Sequence, residues 1–324
     1  MDLKEFLAEW HNDSPTLLVH TSGSTGQPKP MLVEKRRMEA SARTTCEFLG
    51  LHEGDTALLC MSLDFIAGKM MVVRSLTCGL RLICVPPCGE PLKTVKEPID
   101  FAAMVPMQVY NSLKDSEQRE RLRQVRHLII GGGAIDEALA TELRDFPNAV
   151  WSTYGMTETL SHIALRRLNG PNASDWYSPF DGVTLSQTAD GCLVIDAPAV
   201  HDGVLVTNDI AEISEKGFRI LGRKDNTICS GGVKIQAEEV ECLLRAHLRE
   251  PYLISKRPDQ KFGETVVLLT QSSELDVVEA ICRCVLPKYW QPRHYVYVAH
   301  IPLTATGKPA RREAERLAAE SSEE

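Results

Sequence analysis

The chain has 324 residues, 43% hydrophobic and 25% charged, with a formal net charge of -8. It is long enough for two domains and a sizeable core, and its acidic balance excludes a general polyanion binder, so no nucleic-acid partner is expected. No apolar run reaches the length of a membrane span and Met1 to Trp10 is too charged for a secretory leader, which together predict a cytoplasmic protein with no membrane span. The ten cysteines are scattered, and none forms a Cys-x-x-Cys pair; zinc is not expected, and the thiols read as reduced and mostly buried.

Residues 1–14 form a short amphipathic segment with Phe6, Leu7 and Trp10 as anchors. Thr16 to Val19 reads as a buried strand leading into a polar, glycine-bearing loop. A helix is predicted from Glu34 to Leu49, stopped by Gly50. Next come a strand at Thr56–Cys60, a helix from Gly68 to Cys78 ending at Gly79, and a strand at Leu80–Val85 stopped by Pro86-Pro87. Phe101–Val105 is a further strand, and Pro106 opens a helix through Leu113. Leu128–Ile130 is a strand broken by Gly131-Gly132-Gly133, followed by a helix from Asp136, its N-cap, to Arg144. Ala149–Ser152 completes the series. Strands alternating with helices imply an α/β fold with a mostly parallel sheet. From Ser161 to Leu221 short apolar runs are separated by Asp181-Gly182, Asp190-Gly191, Asp202-Gly203 and Lys216-Gly217, the pattern of a small antiparallel β subdomain. Gly222 to Asn226 is a polar break and the candidate domain boundary. Beyond it, helices at Ala237–His247 and Asp276–Leu286 and strands at Thr265–Thr270 and His294–Ala299 make a small α+β module. Arg311 begins a charged terminal helix, and Glu320 to Glu324 is expected to be disordered.

The loop from Thr21 to Lys29 combines hydroxyls (Thr21, Ser22, Ser24, Thr25), two glycines (Gly23, Gly26) and a lysine. Glycine lets backbone N–H groups approach an anion, and Lys29 adds a movable charge, a combination suited to a triphosphate. It is not the P-loop of kinases, because Pro30 follows Lys29. Read alone, it is equally a polar connection. Ser152-Thr153-Tyr154-Gly155-Met156-Thr157-Glu158 follows directly on a strand, where open parallel sheets bind ligands. A carboxylate there suits Mg²⁺, although Tyr154 by itself is a core aromatic. Gly132-Gly133-Ala134 reads with equal ease as a turn.

Together these strings resemble the adenylate-forming superfamily of acyl-CoA synthetases, luciferases and amino-acid adenylation domains. Five stretches match in order: the Thr21–Lys29 loop, Tyr154–Glu158, Thr207-Asn208-Asp209, Gly222–Asp225 with Ser230–Ile235, and Pro302–Lys308. The resemblance implies a large adenylate-forming domain over residues 1–223, shortened at its N-terminus, and a mobile C-terminal lid over 224–324. It implies that Thr21, Ser22, Gly23, Ser24, Thr25, Gly26 and Lys29 hold the β- and γ-phosphates of ATP. Gly132, Gly133, Ala134, Ser152, Thr153, Tyr154, Gly155 and Met156 then line the nucleotide site, with Tyr154 stacked on adenine. Thr157 contacts the α-phosphate, Glu158 holds Mg²⁺, Asp209 binds the ribose hydroxyls, Arg223 reaches the ribose or phosphate, Asp225 is the hinge, and Lys308 is catalytic. Asn208 replaces a family glycine, and its tolerance of left-handed backbone keeps a turn feasible there.

In the implied reaction an acid attacks Mg-ATP to give an acyl-adenylate and pyrophosphate, then coenzyme A takes the acyl group. Among members, Tyr154 to Ala164 and Val72 to Leu76 look most like the o-succinylbenzoate–CoA ligases of menaquinone synthesis. Phe65 falls at the gate of the acyl pocket and is otherwise core. Ser161, His162, Lys69 and Arg74 are candidates for the second carboxylate of such an acid, with His162 otherwise structural and Lys69 and Arg74 otherwise helix-surface charges. Ligases for other aromatic or short-chain acids, and a non-catalytic nucleotide-binding remnant, are the alternatives, and a homo-oligomer is left open.

Overall fold

The computed structural model describes residues 1–20, 29–133, 135, 137–304 and 308–320. Of the sequence readings, Thr21 to Gly26, Ala134, the Asp136 cap, residues 305–307 and the expected disorder of 321–324 lie outside the described residues. The chain divides into two compact units. One comprises Met1–Ser186, Val194–Leu205 and Ile213–Arg219; the other comprises Gln187–Leu193, Val206–Glu212 and Ile220–Glu324.

In the first unit α1 (Leu3–His11) starts on a capping box: Asp2 Oδ1 accepts from the Glu5 N–H at 2.8 Å and Glu5 Oε2 from the Asp2 N–H at 2.8 Å. Its apolar stripe buries Phe6 and Trp10. The strands β1 (Thr16–His20) and β2 (Pro30–Glu34) pair antiparallel, so Pro30 opens a strand that the sequence reading passed over. Next are α2 (Lys35–Leu49), closed by Gly50 in the left-handed region as predicted, β3 (Thr56–Leu59), α3 (Ile66–Cys78), β4 (Arg81–Cys84), β5 (Phe101–Met104), α4 (Pro106–Lys114), α5 (Ser116–Gln124), β6 (His127–Ile130), α6 (Glu137–Leu143), β7 (Ala149–Gly155), β8 (His162–Arg167) and β9 (Ser178–Pro179). The seven-stranded sheet runs β4-β3-β5-β6-β7-β8-β9. It is parallel from β4 to β7 and antiparallel from β7 to β9. Alternate side chains serve two cores. Ala57, Leu59, Phe101, Ala103 and Ile129 pack with α2 and α3, while Leu58, Ala102, Met104, Leu128 and Ile130 pack with α4, α5 and α6. Burial on both faces is why these strands read as continuous apolar runs.

The strands β10 (Thr184–Gln187), β11 (Cys192–Asp196), β12 (Val204–Ser214) and β13 (Gly217–Arg223) form a sheet in that order, with residues in both units. In the second unit, β14 (Thr227–Ser230), β15 (Val233–Gln236), α7 (Ala237–Leu244), β16 (Tyr252–Asp259), β17 (Gly263–Thr270), α8 (Leu275–Val285), β18 (His294–Tyr297) and α9 (Arg311–Glu320) follow. The sheet order is β15-β14-β17-β16, with β18 parallel to β17. One face carries α7 and α8 through Val240, Leu244, Val278 and Cys282. The other carries α9 through Ala314 and Ala318. The cysteines correct one expectation: Cys46, Cys60, Cys192 and Cys282 are buried, but Cys84, Cys88, Cys229, Cys242 and Cys284 are exposed.

Candidate active site

At the carboxyl end of β7 the chain makes a tight, strained turn. Thr157–Thr159 is one turn of 3-10 helix. Leu160 follows at φ 64, the only non-glycine with positive φ among the described residues, and it is 3% exposed. Such a conformation costs on the order of 1–3 kcal/mol and persists where its surroundings over-determine it. Here Thr159 does so: its Oγ1 accepts from the Met156 N–H at 3.0 Å and lies 2.8 Å from the Ser161 carbonyl. Gly155 allows the return strand to close, since a Cβ there would lie 2.2 Å from the Ser161 carbonyl oxygen and 2.4 Å from His162 Cα. The outcome is a register shift between Tyr154 and Gly155 that places His162 opposite Gly155.

This turn sorts the expected residues. Thr157 is buried, Glu158 is half-buried, and Glu158 makes no hydrogen bond or ion pair among the described residues. Tyr154 sits in an aromatic cluster, edge-on to Phe218 with ring centres 5.1 Å apart and 5.9 Å from Tyr177. Ser152 Oγ is 2.8 Å from the Tyr177 hydroxyl. Gly131-Gly132-Gly133 leaves the carboxyl end of β6 beside it, and a Cβ on Gly131 would meet Thr153 Oγ1 at 2.3 Å. Phe65, the N-cap of α3, is 45% exposed and is not a core residue.

Two helix charges expected at the surface are buried. Lys69 packs under α1, its Nζ 3.2 Å from Met1 Sδ and 5.5 Å from the Phe6 ring centre. Burial lowers its pKa. Arg74 is 2% exposed, and no carboxylate pairs with it among the described residues. Its Nη2 donates to Ser161 Oγ at 2.6 Å, its carbon lies 5.9 Å from the Phe101 ring centre, and its buried Nε has no partner among the described residues. Burial pulls its pKa down to about 10. Ser161 Oγ also lies 3.2 Å from His162 Nδ1, and His162 Nε2 lies 3.1 Å from Thr45 Oγ1 on α2. Burial, and then the Arg74 charge, holds the His162 pKa well below its usual value. Thr45 escaped the sequence reading because a mid-helix threonine belongs to no motif.

In the second unit three expected residues come together. Arg223 Nη1 donates to Asp209 Oδ1 at 3.0 Å. Burial lowers the pKa of Lys308, and Arg223 lowers it further, while Asp209 acts in the opposite direction. The strand-like pairing of Leu303 with Pro309, and the Lys308 N–H donated to Thr304 Oγ1 at 3.1 Å, hold the lysine's backbone. Asp209 is in the body of β12, so Thr207-Asn208-Asp209 makes no turn and Asn208 is not left-handed, which corrects that expectation. Asp225 lies in a 3-10 turn, Lys224–Asn226, and accepts from Arg223 Nη2 at 3.2 Å and from Asn208 Nδ2 at 3.3 Å. Gly231-Gly232 forms the left-handed turn between β14 and β15.

Comparison with known proteins identifies the family. Residues 4–188, more than half the chain, match the pattern of the AMP-binding enzyme family. A 2-succinylbenzoate–CoA ligase of Bacillus cereus is 26% identical over 349 aligned positions, covering 96% of this chain and 72% of that protein. A structure described as an acyl-CoA synthetase (AMP-forming)/AMP-acid ligase II-like protein from Dyadobacter fermentans is 33% identical, with a TM-score of 0.66 over 95% of this chain and 91% of that one. The o-succinylbenzoate CoA synthetase of Bacillus subtilis, solved with the acyl-adenylate OSB-AMP, shares the fold at 23% identity and a TM-score of 0.78, covering 92% of this chain and 68% of that one. With the matched pattern ending beyond the Tyr154–Glu158 turn at the carboxyl end of the parallel sheet, the chain belongs to the AMP-binding enzyme family of adenylate-forming enzymes.

Proposed function

We propose that this enzyme is an ATP-dependent, AMP-forming acid–CoA ligase whose acid carries a second carboxylate, with o-succinylbenzoate the first candidate. The observation that carries the choice of acid is Arg74: a buried guanidinium with no counter-charge among the described residues, tied to Ser161 in the signature turn. A buried cation is costly unless something neutralises it, and a substrate carboxylate is a fitting complement to an arginine. The relatives named 2-succinylbenzoate–CoA ligase support the same acid.

The acid's reacting carboxylate attacks the α-phosphorus of ATP, forming an acyl-adenylate and releasing pyrophosphate. Charge builds on the α-phosphate oxygens, and Lys308, poised by Asp209 and Arg223, supplies a cation where that charge develops. Thr157 contacts the same phosphate, and Asp209 and Arg223 reach the ribose. Thr21 to Gly26 and Lys29 hold the terminal phosphates, while Tyr154 with Gly132 and Gly133 bounds the adenine. Glu158 fits Mg²⁺: it is a hard carboxylate with no hydrogen-bond or ion-pair partner among the described residues. The ion, when bound, neutralises phosphate charge. In the second step the thiol of coenzyme A displaces AMP from the acyl group. We assign residues 224–324 as the lid that exchanges Lys308 for the Gly231-Gly232 turn between the two steps, with Asp225 as pivot and Phe65 as gate.

The test is pyrophosphate release across a panel of carboxylic acids, with and without coenzyme A. Acid-dependent release with o-succinylbenzoate, and thioester only when coenzyme A is present, is expected. Arg74→Met should lower kcat/KM for that acid about 10²-fold, the scale of losing a buried charge-assisted bond, and much less for its monomethyl ester at the distal carboxyl. Calorimetric ATP binding with no adenylate from any acid would overturn the assignment in favour of a non-catalytic remnant.

A further inference from the structure

The polar groups behind Ser161 form a chain whose proton positions can be worked out. Thr45 Oγ1 lies 3.0 Å from the Ser41 carbonyl oxygen, one turn back on α2. A carbonyl oxygen only accepts, and a hydroxyl has one proton, so the Thr45 proton is committed to Ser41. Toward His162 Nε2, at 3.1 Å, the Thr45 oxygen therefore accepts, and Nε2 carries the imidazole hydrogen. In the neutral ring Nδ1 is then an acceptor, and its partner at 3.2 Å, Ser161 Oγ, donates to it. The Ser161 oxygen is left with lone pairs only, and these face Arg74 Nη2 at 2.6 Å. Every link is satisfied in one direction: Arg74 to Ser161 to His162 to Thr45 to Ser41.

The surroundings keep the ring neutral. Arg74 on α3 is the charged group that acts on His162, the Phe180 ring stands edge-on at 5.5 Å, and Thr45 on α2 is uncharged. Protonating Nδ1 would make it compete with Arg74 for the Ser161 oxygen and place a second cation beside the guanidinium. Thr45 is fully buried and His162 7% exposed, whereas Ser161 is half-buried.

We propose that Thr45 and His162 are positioning residues for acid selection: they fix the Ser161 hydroxyl so that it serves only as acceptor toward Arg74, which orients the guanidinium that selects the distal carboxylate. This rests on the reading of Arg74 given above. It follows that Ser161 does not donate to the substrate and that the arginine alone carries the preference for a dicarboxylate.

The experiment uses the full chain and the ratio of kcat/KM for o-succinylbenzoate to that for its distal monomethyl ester. Thr45→Val keeps the side-chain shape and removes the acceptor, and Thr45→Ser restores it. Thr45→Val should lower the ratio about tenfold, the worth of one well-oriented hydrogen bond. The loss should appear in KM for the acid rather than in kcat, and Thr45→Ser should return the ratio to the parent value. Nitrogen-15 NMR of the histidines should show His162 as the Nε2–H tautomer from pH 6 to 8 in the parent, on the usual histidine titration range. An Nδ1–H or doubly protonated ring in the parent overturns the relay. So does a Thr45→Val ratio equal to the parent's while Arg74→Met abolishes the preference. If Arg74→Met leaves the preference untouched, the reading of the acid falls, and the relay falls with it as a selectivity device.

Discussion

Single residues carry the sharpest expectations. In the proposed reaction Lys308 acts as a cation, so it would be competent below its pKa and silent above it. Because burial and Arg223 lower that pKa from 10.5, the alkaline limb of ATP–pyrophosphate exchange should fall at lower pH than for an ordinary lysine, and Lys308→Arg should move the limb upward. Lys308→Ala should slow exchange roughly 10²–10³-fold, the usual scale for one transition-state donor; near-normal exchange would refute the role. Gly155 carries a steric constraint. Its missing Cβ is what admits the Ser161 carbonyl, so Gly155→Ala should destabilise by about 1–3 kcal/mol, as overpacking does, and displace the turn that holds Glu158. Thermal melting alongside pyrophosphate exchange checks both parts.

At the scale of elements, Arg311 gives α9 a polar joint to the rest of its unit. Arg311 reaches Glu241 on α7 in two bonds, Nη1 to Oε1 at 2.7 Å and Nη2 to Oε2 at 2.9 Å, and donates to the Ile254 carbonyl at 2.7 Å, while Glu241 Oε1 accepts from the Ile254 N–H. Arg311→Met leaves the Glu241 carboxylate uncompensated and should cost about 3 kcal/mol. Adding Glu241→Leu should recover much of that, as read from denaturant midpoints. The same scale shows what the sequence could reveal. The main-sheet strands from β3 to β7 announced themselves as short apolar runs, with Pro86, Pro106 and Gly131 marking the ends of β4, β5 and β6. Helix α5 did not: Ser116–Gln124 is polar except for Leu122 and buries only Gln118 and Leu122, its start set by Asp115 accepting from the Gln118 N–H at 2.9 Å. Strand β2 was hidden for a different reason, since Pro30 at its head reads as a break. Of the candidate residues, Tyr154–Glu158, Asp209, Arg223 and Lys308 could be proposed from strings alone. The burial of Arg74 was not legible, because it depends on α3 lying against the sheet and β8 returning beside it. Thr45 was not legible for the same reason.

For the whole molecule, the ligase reading makes metal dependence a matter of catalysis and not of folding. Among the described residues no cluster of His, Cys, Asp and Glu could hold a structural ion. Chelation should therefore stop pyrophosphate exchange, leave the circular dichroism melt unchanged, and be reversed by added Mg²⁺ or Mn²⁺. No helix among the described residues is long and apolar enough to cross a membrane. The exposed thiols, finally, offer a use beyond chemistry. Cys84 and Cys88 belong to one compact unit and Cys229, Cys242 and Cys284 to the other. Retaining one surface thiol on each side and replacing the remainder with serine yields a dye pair at native positions, through which fluorescence energy transfer can follow the assigned pivot during turnover without any residue of the nucleotide site being altered.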